Sequence, residues 1–268
     1  MKRLALILAA ALASFSPAPV MAERFGDVIH AELRPGWRLR DGDHMAALHL
    51  TLAPGWKTYW RAPGDAGIPP LFSWRGSRNV SGVALYWPTP TVFWQSGMRS
   101  VGYEDELVLP IRVDAKQNSD DVRIKAVVDI GICKDVCLPH RIRVEGTLPA
   151  ATTKPDSIIA AAMADRPFGR SEAGVRSVSC RVSPIEGGMA LRTEIAMPAG
   201  TGREQTVIET SDPQLWVAEP KTYWQGGALI SETRLLHVDG GVFALDRSGL
   251  RITVLDGRMP VEIQGCDR

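Results

Sequence analysis

The stretch Gly131-Ile132-Cys133-Lys134-Asp135-Val136-Cys137-Leu138-Pro139-His140 sets two cysteines three residues apart, with a proline and a histidine just beyond. Three chemistries use such a pattern. A bond between Cys133 and Cys137 closes a very small ring. It removes little entropy from the unfolded chain and is easily strained, so it makes a poor staple. Strained, exposed disulfides are the labile ones that exchange with other thiols. The first reading is therefore a redox pair. The alternative is a copper-handling or protein-docking β module, in which Cys133, Cys137 and His140 are a soft ligand set or the cysteines a local staple. No fourth ligand stands nearby, since His44 and His49 lie on a distant segment. Neither a bound metal nor a cofactor is expected.

The other two cysteines carry a different signature. Cys180 shares strand parity with Val178 and Val182, which gives it a core-facing position, and Cys266 stands at the far end of the chain. A bond between them closes a long loop and is worth roughly 4 to 5 kcal/mol in the chain-entropy picture. Cys180–Cys266 is the expected structural disulfide. Other enzyme classes find no support: G-x-S-x-G, H-E-x-x-H and phosphate-cradling glycine loops are absent from the sequence. Asp65, in Ala62-Pro63-Gly64-Asp65-Ala66-Gly67, reads as a turn former.

The elements that must carry these residues are strands. Leu48, Leu50 and Leu52 alternate, as do Leu107, Leu109, Ile111 and Val113. The clearest run is Val122, Ile124, Ala126, Val128, Ile130 and Ile132, with charged residues between its members. Its parity turns Cys133 to the face of Arg123, Lys125 and Asp129, where a partner can reach it. In the second half, Met189, Leu191, Ile195 and Met197 keep a period of two, and two hairpins are predicted at Asp239-Gly240 and Asp256-Gly257. Trp56, Tyr59, Trp60, Trp74 and Trp87 read as core. Phe93 and Trp94 fall between prolines and a glycine, where an aromatic pair either shields a reactive site or packs under its loop. The tetrapeptide Lys57-Thr58-Tyr59-Trp60 recurs at 221–224.

The fold expected is all-β: two immunoglobulin-like β-sandwich domains joined by a short helical linker. Residues 1–22 read as a cleavable signal peptide, with Lys2 and Arg3 before an apolar run and small residues at Val20 and Ala22. Residues 23–150 form the first domain, 151–175 the linker and 176–268 the second domain. The linker helix is expected to have Pro155 in its first turn and to end by Arg166-Pro167. No stretch approaches the length of a membrane span. Lys plus Arg (31) balance Asp plus Glu (30), which argues against a nucleic-acid partner. An exported chain with an exchanging disulfide points to the periplasm.

Three segments, residues 48–74, 86–113 and 127–140, resemble the N-terminal periplasmic domain of the disulfide reductase DsbD, and more closely the DsbD-like domain of ScsB proteins. The resemblance runs over about residues 40–150. It implies an immunoglobulin-like sandwich with Cys133 and Cys137 as the catalytic pair of a thiol-disulfide oxidoreductase. Cys137 matches the cysteine that forms the mixed disulfide with a thioredoxin-like donor, which leaves Cys133 as the resolver. Phe93 and Trp94 fall in the family's cap over the pair. The implied partners are a thioredoxin-like periplasmic protein, a membrane electron carrier of the DsbD/CcdA type, and disulfide-bearing acceptors including cytochrome c maturation factors. Two features depart from the enterobacterial pattern. The cysteine spacing is shorter, and Thr91 and Val92 stand where acidic residues precede the cap.

Overall fold

A computed structural model describes residues 28–95 and 97–267; residues 1–22, read above as a signal peptide, lie outside the described residues. Ten strands come first: β1 (Ile29–Arg38), β2 (His44–Leu52), β3 (Lys57–Tyr59), β4 (Leu71–Ser73), β5 (Val80–Leu85), β6 (Thr91–Gln95), β7 (Met98–Glu104), β8 (Glu106–Ala115), β9 (Val122–Cys133) and β10 (Cys137–Leu148). They build a four-stranded sheet in the order β1-β2-β8-β5. Facing it is a six-stranded sheet, β10-β9-β3-β7-β6, with β4 also on β9. The alternating residues meet between the sheets. Leu48, Leu50, Leu107, Leu109, Ile111, Ile124, Val128, Ile130 and Ile132 are all buried, around Trp60 and Trp87.

Helix α1 (Ser157–Ala164) follows. It starts later than Pro155, because the Asp156 carboxylate caps it by accepting from the Ile158 and Ile159 amides. Ile159 packs with Met45 and Ala47, so the helix covers the outer side of β2 as well as linking the two halves. Arg34 holds the same cap from the first sandwich through the Asp156 carboxylate at 2.8 Å.

The remaining strands are β11 (Phe168–Gly169), β12 (Ser177–Ile185), β13 (Gly188–Ala196), β14 (Gln205–Glu209), β15 (Leu215–Val217), β16 (Lys221–Gln225), β17 (Ala228–His237), β18 (Arg251–Leu255) and β19 (Val261–Gln264). They form one sheet ordered β11-β19-β18-β14 and another ordered β12-β13-β17-β15, with β16 also on β17. A separate core of Val178, Leu191, Ile195, Leu229, Leu235, Ile252, Val254 and Ile263 fills the space between them. The molecule is thus nearly all β, in two sandwiches. Among the described residues, no helix is long and apolar enough to cross a membrane.

Two expectations change here. β11 pairs in parallel with Val261–Glu262, so residues assigned to the linker supply an edge strand of the second sandwich. Of the two Asp-Gly hairpins, only Asp256-Gly257 forms, between β18 and β19. After His237 the chain leaves the sheet, and Val242 is fully exposed. The apolar residues Val242, Phe243 and Leu245 resemble a strand but find no partner strand to complete a ladder.

Cys180 and Cys266 are bonded across 86 residues with Cα atoms 5.9 Å apart. Cys180 is buried in the second core and Cys266 packs against it. Replacing both with alanine should destabilise the protein by about 2–5 kcal/mol, seen as a lower denaturant midpoint. A loss below about 1 kcal/mol would show that the long loop is already held by other contacts.

Candidate redox site

The cysteine pair sits at the mouth of the β9–β10 hairpin. Cys133 and Cys137 face each other as the first pair of a ladder that continues unbroken to Val122 and Leu148. They are bonded, with Cα atoms 4.2 Å apart. A ladder of that length already fixes the two strands, so the bond adds little constraint of its own.

The expected parity of β9 holds, but the expected exposure of Cys133 does not. Cys133 lies on the outer face, yet it is 0% exposed. Strands β3 and β4 follow one another along the same edge of β9, at Ile132–Cys133 and Val127–Asp129. The chain between them, from Trp60 to Pro70, loops out over the gap. It buries what the strand pattern alone would leave open. Cys137 lies on β10, the edge strand, and remains exposed.

The group that covers the sulfurs is Tyr59. Its ring is packed between Gly131 on β9 and Gly67 on the loop. A Cβ at Gly131 would stand 3.0 Å from the ring and 2.7 Å from Ile68 Cβ, and one at Gly67 would stand 2.9 Å from the ring. The hydroxyl oxygen lies 2.8 Å from Cys133 Sγ, 3.0 Å from Cys137 Sγ and 3.2 Å from the Ala66 carbonyl, which accepts its proton. Burial pushes this hydroxyl above its ordinary pKa, so it keeps its proton across neutral pH. Thr58, on the opposite face, is buried and donates to the Gly131 carbonyl at 2.9 Å, which locks β3 in register with β9.

A row of polar groups flanks the pair. Lys57 is the cross-strand partner of both Cys133 and Glu104. Its ammonium donates to Gln95 Oε1 at 3.0 Å and lies 5.2 Å from the Phe93 ring centroid. Gln95 in turn donates to the Lys134 carbonyl at 3.3 Å, tying the β6–β7 hairpin to the tip of the β9–β10 hairpin. A cation at this position favours a thiolate over a thiol.

Among the residues singled out from sequence, Phe93 shares the outer face with Lys57 and Gln95. Trp94 alternates to the other face and is 58% exposed. The two rings do not act as one cap. His140 likewise alternates away from Cys137 along β10, so the C-x3-C-x2-H triad is not brought to a common point. Tyr59, Gly67 and Gly131 were missed by sequence reasoning. The recurrence of Lys57–Trp60 at 221–224 was the available signal, but it does not discriminate. On β16, Tyr223 accepts from Arg192 at 2.8 Å and Trp224 donates to Glu204 at 2.7 Å, with no sulfur involved.

Comparison with known proteins now adds to this geometry. Residues 28–149 match the family described as thiol:disulfide interchange protein DsbD, N-terminal. This stretch is similar to DsbD N-terminal domains. The chain is also similar to a solved structure, the N-terminal periplasmic domain of ScsB from Proteus mirabilis. The identity is 26% and the TM-score 0.62, covering 89% of this chain and 91% of that one. That likeness extends over both sandwiches. No curated protein matches the chain. Both likenesses support reading residues 28–149 as a thiol:disulfide interchange module.

Gly131→Ala tests the packing of the site directly. The added methyl has no room against Ile68 and the Tyr59 ring, so the variant should lose about 1–3 kcal/mol of stability. Equilibrium unfolding reads the loss, and an unchanged midpoint would mean that the Tyr59 ring is free to move aside.

Proposed function

We propose that the chain relays reducing equivalents in the periplasm by thiol–disulfide exchange at Cys133–Cys137. The observation that carries this reading is the asymmetry of the pair. Cys137 is exposed on an edge strand, while Cys133 is wholly buried against a hydroxyl donor.

The steps follow from that asymmetry. A thiolate of a reduced partner attacks Cys137 Sγ. A partner–Cys137 disulfide forms, the Cys133–Cys137 bond breaks, and Cys133 leaves as a thiolate. Tyr59 turns its proton from the Ala66 carbonyl to that sulfur, and Lys57 adds positive charge beside it. The partner's second thiolate then attacks its own bridged sulfur and releases Cys137. Two electrons have passed to the module, and each cysteine ends as a thiol or thiolate. Delivery is the reverse: Cys137 attacks an acceptor disulfide, and Cys133 resolves the mixed bond.

The proposed donor is a thioredoxin-like protein fed by a membrane carrier, and the proposed acceptors are disulfide-bearing proteins, cytochrome c maturation factors among them. The likeness to a thiol:disulfide interchange family supports exchange partners of this general kind. The surface suits such docking. Val136 (65% exposed) and Met98 (58%) stand at the tips of the two hairpins that Gln95 joins. Phe93, beside Lys57, guards the approach to the sulfurs until a partner offers apolar contact in exchange.

Trapping tests the relay. A Cys133→Ala variant expressed in a bacterial periplasm should accumulate mixed disulfides through Cys137, identifiable by mass spectrometry. If only free Cys137 is recovered, the pair is a staple. Tyr59→Phe tests the donor: removing one hydroxyl should slow reduction by dithiothreitol about tenfold and move the equilibrium with glutathione towards the disulfide. An unchanged rate in stopped flow would leave Tyr59 as packing alone.

A further inference from the structure

Resting on the reading of Cys133–Cys137 as an exchanging pair, we propose that the second sandwich is a working part of the redox site. Arg61, gripped by Glu209 and Glu262, is a positioning residue that holds Tyr59 on the two sulfurs.

The connection runs through one short segment. Arg61 follows Tyr59 by two residues and opens the loop that carries Ala66, Gly67 and Ile68. All three touch the site: Ala66 accepts the Tyr59 proton, Gly67 lies on its ring, and Ile68 fills the space that the absent Gly131 side chain leaves. The loop is held on the first sandwich by Trp60 and by the Val101 amide, which donates to the Pro63 carbonyl at 2.9 Å. Ala62 also packs on the first core, and further polar anchors come from the second sandwich.

Arg61 is the strongest of these. Its Nε donates to Glu209 Oε1 at 2.9 Å and its Nη2 to Glu209 Oε2 at 2.9 Å, a two-point grip, and Nη2 also donates to Glu262 Oε2 at 2.6 Å. The guanidinium stacks on buried Trp60, 4.1 Å from its ring centroid. Burial alone would lower the Arg61 pKa, but the two carboxylates outweigh it and hold the value raised. Arg251, 3.9 Å from Glu209 and 3.8 Å from Glu262, offsets the second negative charge. Charge-assisted, two-point contacts of this kind fix geometry as well as adding energy.

Two weaker contacts flank it. Trp216 Nε1 donates to Asp65 Oδ1 at 3.2 Å. Buried Arg99, on β7, donates to the Thr206 carbonyl at 3.0 Å. Behind the loop lies a cavity of about 230 Å³ between the sandwiches, lined by Asp65, Gly67, Arg99, Trp216 and Glu219 among others. A loop backed by space instead of packed side chains depends on its polar anchors. Releasing them lets residues 61–69 move into that space and takes the Ala66 carbonyl, and with it the Tyr59 hydroxyl, off the sulfurs.

The test uses the full chain with Glu209→Gln and Glu262→Gln together, both remote from the sulfurs. The glutathione equilibrium of Cys133–Cys137 should shift about tenfold towards the disulfide, matching Tyr59→Phe. On a Tyr59→Phe background the same pair of substitutions should shift it little further, since both act through one hydroxyl. Pairing Arg61→Glu with Glu209→Arg should restore part of the wild-type equilibrium. If the double variant folds poorly, Trp216→Phe removes one anchor while keeping the ring, and a smaller shift in the same direction is expected. A folded double variant with the wild-type equilibrium, or full additivity with Tyr59→Phe, overturns the clamp while leaving the exchange reading intact. A wild-type protein whose Cys133–Cys137 bond does not exchange with glutathione at all overturns both.

Discussion

A single tyrosine hydroxyl in contact with both sulfurs of a disulfide is the constraint around which the first sandwich is arranged. The ring reaches that position only because the strand beneath it and the loop above it both lack a side chain there, at Gly131 and Gly67. The strand order does the rest. Interior strand β9 gives Cys133 neighbours on both sides, and edge strand β10 leaves Cys137 open on one. A bond with one buried and one open sulfur breaks in a preferred direction. In the proposed exchange the open sulfur is attacked, and the buried one leaves into a prepared environment. Burial also raises the pKa of the Tyr59 hydroxyl, so the proton stays available where charge develops.

The two disulfides show how position decides chemistry. Cys180–Cys266 joins strand β12 to the end of the chain and lies against a core. Next to it, Asp267 accepts from the Val178 amide and from Arg170, and these contacts lower its pKa to about 2. That neighbourhood anchors residues 266 and 267 from several sides. Cys133–Cys137 spans a hairpin whose register is fixed without it. Breaking it disturbs little of the fold, which is the property a reversible bond requires.

Much of this was legible in the sequence. The period-two runs in β2, β8 and β9 identified the core and the all-β class, because a residue buried between two sheets must alternate with one that is not. The small ring and the long loop separated the two cysteine pairs. Local alternation could not reveal the burial of Cys133, since its cover comes from Tyr59 and the loop after it, more than sixty residues earlier in the chain. Tyr59 was read as core for the same reason: a buried aromatic carries no mark in sequence of which face it occupies. Phe93 and Trp94 looked like a pair because the segment was read as a loop. As strand β6 it sends them to opposite faces. The failed hairpin at Asp239-Gly240 had good turn chemistry, but both edges of β17 are already taken, by β13 on one side and by β15 and β16 on the other.

The seam between the sandwiches combines two kinds of contact. Val207 and Leu255 of the second sandwich pack into the core of the first, an apolar join that favours one fixed arrangement. Around it, Arg61, Arg99 and Trp216 make directional polar contacts to particular atoms. An apolar seam alone would hold two bodies together without specifying the path of the loop between them. Polar contacts alone would be weakened by solvent and salt. Together they keep the bodies fixed while the chain from Arg61 to Pro69 is steered at chosen points and left unpacked behind. That division suits a site which must stay closed to stray thiols and still yield to a docking partner. In the proposed arrangement the sheets supply the rigidity, and the loop from Arg61 to Pro69 is a segment that can yield without disturbing them.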